Sequence, residues 1–166
     1  MKFTIAAALA VVTALVEFTV VPYLRIGDAV PHPILVFGVI AAIVGGLEVG
    51  LTWAFVGGLA LDIVTQRPLG STSFSLLIAV GAGYLVGSFL GRIRILAPIG
   101  ATAVASPLYS MLILLTTAAL TTAPITSAAL GMILPSTVYD VILAAAVGPL
   151  AVAVAARRRD VERIAW

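Results

Sequence analysis

From Ile34 to Thr65 the chain is apolar for about 32 residues, interrupted at Glu48 and carrying a second acid, Asp62, near its far end. As one helix this stretch would be about 48 Å long, against roughly 30 Å of bilayer hydrocarbon. It is therefore predicted to fold back on itself, with Gly45, Gly46 and Glu48 marking a tight turn. The same logic sets the whole chain. With 62% hydrophobic and 10% charged residues in 166, there is too little polar surface to cover a soluble domain. The mean hydropathy of +1.23 says the same. Lipid must be the solvent, and in lipid every backbone polar group has to be satisfied internally.

The expected fold is an all-α polytopic bundle of about six transmembrane helices, with residues 1–166 forming one membrane domain. The helices are placed at about 3–24, 34–45, 49–65, 73–91, 96–120 and 127–156. The first begins like a signal peptide, with Lys2 before an apolar run. It continues through Glu17, Phe18 and Thr19 without a small-residue cleavage site, so a retained helix is expected. Pro31 and Pro33 end the first loop. Pro107 is expected to kink the fifth helix, and Gly131 and Pro135 to divide a short lead-in from the last span. Helix 34–45 is short for a full crossing.

Lys and Arg concentrate on the cytoplasmic side of membrane spans. With the N-terminus inside, Lys2, Arg92, Arg94, Arg157, Arg158, Arg159 and Arg163 fall inside, and Arg25 and Arg67 outside. Seven against two requires an even number of spans and places both termini in the cytoplasm.

Cysteine is absent and His32 is the single histidine, which removes thiol catalysis, disulfides and histidine-rich metal sites. No cofactor and no metal is expected. No GxSxG, HExxH or P-loop motif occurs, so an enzyme is not expected. A net charge of +2 gives nucleic-acid binding no support.

Two features remain as candidates. Small residues recur every four positions: Ala6, Ala10 and Ala14; Gly50, Ala54 and Gly58; Ala79, Gly83, Gly87 and Gly91. Such faces let helices approach closely in lipid, either within the chain or against a partner. The second feature is the set of carboxylates within the spans. Glu17, Asp62 and Asp140 all fall in the outer half of the membrane, where Arg25, Arg67 and His32 are available as partners. Charges in a bilayer are costly and face the protein interior. They form either a polar pocket opening outward or clamps that brace helix ends. Glu48 is expected to cap the third helix, where the helix dipole favours an anion.

The run Gly57-Gly58-Leu59-Ala60-Leu61-Asp62, followed by Arg67-Pro68-Leu69-Gly70, resembles the rod shape-determining protein MreD family. So do Thr19-Val20-Val21-Pro22-Tyr23-Leu24 at the exit of the first helix and Leu134-Pro135-Ser136-Thr137-Val138-Tyr139-Asp140 in the last. The turn Gly46-Leu47-Glu48 departs from the family, which often has basic residues there. The resemblance marks Asp62, Pro68, Leu69 and Gly70 as motif residues. It implies a non-enzymatic scaffold of the cell-elongation and peptidoglycan-synthesis machinery in the bacterial inner membrane. The implied partners are MreC and, in the wider complex, RodA, a class B penicillin-binding protein, MreB and membrane lipid. The Ala6–Ala10–Ala14 face also resembles the docking helix of substrate-binding subunits of energy-coupling-factor vitamin transporters, which is the alternative.

Overall fold

A computed structural model of the chain describes residues 2–25, 29–90, 96–121 and 126–164, with side chains through Arg157. The expectations placed on Gly91, Arg92, Arg94 and the side chains of Arg158, Arg159 and Arg163 lie outside these residues. Among the described residues the chain is all-α, without a strand. Its helices are α1 (Lys2–Val20), α2 (Pro33–Gly45), α3 (Leu47–Thr65), α4 (Ser71–Phe89), α5 (Ala97–Thr121), α6 (Ser127–Gly131) and α7 (Ile133–Ile164), and a single 3-10 turn, Val21–Tyr23, extends α1. Five stretches are long and apolar enough to cross a membrane: Lys2–Tyr23, Leu47–Thr65, Ser71–Phe89, Ala97–Thr121 and Ser127–Arg157.

The sixth, α2, has 13 residues and spans only about 20 Å. Its sequence, PILVFGVIAAIVG, is apolar on every side, and a helix of that kind belongs in the middle of a bundle. That is where it lies. Ile34, Leu35, Val36, Val39 and Ala42 are fully buried. Helices α1, α3, α4, α5 and α7 all pack on α2, and pack on one another in the order α1–α3–α4–α5–α7. The two ends of that series, α1 and α7, share no comparable packing, so the ring around α2 is open between them.

The expected turn at Gly46 is present, with φ of 99°, a conformation open to glycine and costly for other residues. Glu48 sits in the first turn of α3 but is exposed and makes no side-chain cap there. Helix α5 runs unbroken through Pro107. The final stretch breaks at Met132, between α6 and α7, with Pro135 inside the first turn of α7. Helix α7 does not stop at 156 but carries its regular backbone through the Arg157–Arg159 cluster to Ile164.

The small-residue faces are internal. Ala6, Ala10, Ala14, Gly50, Ala54, Gly58, Ala79, Gly83 and Gly87 are all buried. A Cβ on Gly58 would sit 2.5 Å from the Ser73 Cα, so α3 and α4 touch backbone to backbone there. At Gly50 the same atom would meet the Ala42 Cβ at 2.4 Å. Gly57 lies against Ile34. Because Gly57 is eight residues short of the end of α3, the N-terminus of α2 is recessed about 12 Å below that end. Residues 29–32, which lead into α2, are not helical.

Candidate functional site: the recessed N-terminus of helix α2

A helix start leaves backbone N–H groups without intrahelical acceptors, and in hydrocarbon each such group costs several kcal/mol. Pro33 at the first helical position removes one donor. The Leu35 and Val36 N–H groups turn back to the His32 carbonyl, and the Ile34 and His32 N–H groups are met by two carboxylates from the two rims of the seam. Glu17, one turn before the end of α1, accepts the Ile34 N–H at 2.7 Å. Asp140, on α7, accepts the His32 N–H at 2.7 Å through Oδ1. Its Oδ2 faces His32 Nδ1 at 3.0 Å and accepts the Ser106 hydroxyl at 2.6 Å. One turn earlier on α7, the Ser136 hydroxyl accepts the Val30 N–H at 3.1 Å. Both carboxyl groups also lie at the positive end of the α2 dipole.

Asp62 does the same for α4. From the last turn of α3 its carboxylate accepts the Gly70 N–H at 2.8 Å, the Thr72 N–H at 3.1 Å and the Ser71 hydroxyl at 3.2 Å. Gly70, with φ of 93°, is the N-cap residue that turns these donors toward Asp62. The motif spacing of Asp62 and Pro68-Leu69-Gly70 is thus the spacing of a side chain clamping the next helix start. On the other side of the turn, Gln66 takes the left-handed conformation at φ of 55° and closes α3.

All three acids are buried, at 8% exposure for Glu17 and 0% for Asp62 and Asp140. They face the interior, as expected, but they do not meet in one cluster. Nor do they pair with arginine: the ion pair among the described residues is His32–Asp140. The anticipated bridges from Arg25 or Arg67 to Asp62 are absent from the described contacts, because backbone N–H groups already occupy that carboxylate. Ser106, Tyr109 and Trp53 complete the site with Ser136 of the Leu134–Asp140 stretch, and no sequence motif marks the first three. Tyr109 packs edge-on against the His32 ring, with centroids 5.2 Å apart. The Trp53 indole N–H donates to the Ile34 carbonyl at 3.0 Å.

His32 lies in the connecting segment ahead of α2. Burial pushes its pKa down, but the hydrogen bond to Asp140, the charge of Asp140 and that of Glu17 outweigh it, leaving His32 above the ordinary imidazole value.

Above the recessed helix start lies a cleft in two chambers. One, of about 220 Å³, is lined by Glu17, Arg25, His32, Arg67 and Tyr109 among others. The other, of about 240 Å³, shares Arg25, His32 and Arg67 and adds Ser110, Met132 and Ser136. Of the five residues expected to form a polar cluster, Glu17, Arg25 and Arg67 therefore line one cleft. Asp140 sits behind His32, and Asp62 is apart in the α3–α4 turn. No family model, curated protein or solved structure matches the chain.

Proposed function

We propose that this chain is a non-enzymatic membrane scaffold of the MreD kind, acting in the bacterial cell-elongation machinery with MreC as its direct partner. The observation that carries this reading is the open seam between α1 and α7. On α2 the half-buried residues Phe37, Ala41 and Val44 follow one another at helical spacing. Phe37 packs at once against the Ala6–Ala10–Trp53 cluster on the α1 side and the Val36–Ile40–Ala144 cluster on the α7 side. A stripe of the central helix is thereby left accessible between two flanking helices, over a length that one further transmembrane helix would cover. In lipid such a groove is filled by packing rather than by hydrophobic drive, and a single-span protein is the fitting occupant.

The same geometry weighs against the transporter-subunit alternative. Its docking face would be Ala6, Ala10 and Ala14, and these are 6%, 0% and 0% exposed. They are consumed inside the bundle, where Ala10 meets Gly57. In this reading RodA, the class B penicillin-binding protein and MreB are reached through MreC. In this reading both termini lie in the cytoplasm and the Arg25–Arg67 cleft opens to the outer face of the inner membrane, an orientation supported by the Lys/Arg bias.

Affinity purification of the tagged chain from native membranes tests the proposal. Recovery of MreC with RodA is expected. Recovery of an ATPase module with a bound vitamin, in their place, would overturn it.

A further inference from the structure

The second chamber of the cleft has a composition that bracing the helices does not explain. Arg25, Arg67 and His32 all line it. Neither guanidinium makes an ion pair or hydrogen bond among the described residues. No carboxylate lines this chamber among the described residues. Its wall also holds Ser110, only 8% exposed, whose hydroxyl has no hydrogen-bond partner among the described residues. Serine in a helix commonly returns its hydroxyl to the carbonyl four residues back, as Ser75 does at 2.8 Å. Ser110 leaves that bond unmade, so a buried donor lies on the wall of a cationic chamber. Unsatisfied buried polar atoms are uncommon, and a missing ligand is one physical reason for them. Much of the remaining lining is apolar, with Ile113 and Leu114 from α5 and Met132 and Ile133 from the α6–α7 junction.

We propose that this chamber binds a phosphate group, held by the Arg25 and Arg67 guanidiniums and the Ser110 hydroxyl. Guanidinium forks match phosphate oxygens in pairs, and the serine supplies a further donor at the base. At about 240 Å³ the chamber takes the phosphate and the first atoms attached to it, not a whole lipid. Its apolar lining suits a phosphate carried on a hydrocarbon chain. Free phosphate has the same recognition chemistry without the use of that lining. This inference concerns ligand chemistry alone and stands or falls independently of the scaffold reading.

Native mass spectrometry of the detergent-purified chain tests it with three probes: dioleoyl phosphatidate, dioleoylglycerol and inorganic phosphate. Saturable retention of one phosphatidate, none of dioleoylglycerol, and weak competition by inorganic phosphate is expected for a lipid-borne group. Equal competition by inorganic phosphate would assign the site to the free anion. Arg25→Gln and Arg67→Gln, both at exposed positions, are each expected to weaken binding about tenfold, and Ser110→Ala several-fold. Unchanged melting of these variants establishes that the fold is intact. Retention of dioleoylglycerol as tight as that of phosphatidate, or phosphate binding indifferent to both arginines, would overturn the proposal.

Discussion

Asp140 holds His32 at two points, the backbone N–H at 2.7 Å and the ring Nδ1 at 3.0 Å, across 108 residues of sequence. That contact joins α7 to the start of α2 while Glu17 joins α1 to it. The central half-length helix is therefore pinned from both sides of the seam. A bundle left open between α1 and α7 keeps its two rims in place by the polar contacts that each makes to α2.

Removing one of these acids leaves buried donors stranded. Asp62→Ala is expected to destabilise the detergent-solubilised protein by about 3 kcal/mol, because the Gly70 and Thr72 N–H groups lose their acceptor. Asp62→Asn retains a carbonyl acceptor and should cost about half as much. Exchanging Asp62 and Arg67 should not restore stability, since the donors are backbone groups. Thermal unfolding of the three variants checks the ranking, and recovery by the exchange would show that an ion pair matters after all.

The glycines separate by what a methyl group would meet. Gly58→Ala drives a Cβ into the Ser73 backbone at 2.5 Å and should cost about 2–3 kcal/mol. Gly87→Ala meets side chains and no backbone, the Ile43 tip at 3.0 Å, which can yield, and the Ala101 Cβ at 3.7 Å, and should cost less than about 1 kcal/mol. Equal melting temperatures for the two would contradict a backbone-to-backbone contact between α3 and α4.

The His32–Asp140 contact gives stability a pH dependence of definite sign. The folded pKa of His32 is raised above its unfolded value of 6.5, so its contribution is full below about pH 6.5 and lost as pH rises through the folded pKa. The stability advantage of the native chain over His32→Gln should thus shrink toward alkaline pH. Parallel melting curves from pH 5.5 to 9 measure it; an advantage that grew with pH would reverse the assignment.

Much of this architecture is legible in the sequence because lipid is a strict solvent. Apolar length marks the long helices, and the Gly45-Gly46 turn follows from a run too long for one crossing. The inward placement of Glu17, Asp62 and Asp140 follows from the cost of charge in hydrocarbon. Their partners were harder to read, since arginine is the expected counter-ion for a buried acid and a backbone N–H carries no sequence signature. The signal present was indirect. Pro33 after His32 announces a helix start whose donors need acceptors, and Ser136 and Asp140 lie one turn apart on one face of α7. The burial of the alanine stripe and the open seam depend on the order in which helices pack, and periodicity along one helix does not determine that order.

The central claim is that a single-span partner helix occupies the seam over Phe37, Ala41 and Val44. A photo-cross-linking residue at position 41 tests it most directly in native membranes, with position 55 as control, since Phe55 faces outward from α3 at 51% exposure. The expected result is capture of MreC through its transmembrane segment from position 41 and not from position 55. Capture of MreC from position 55 alone, or of lipid alone from both positions, would contradict the account.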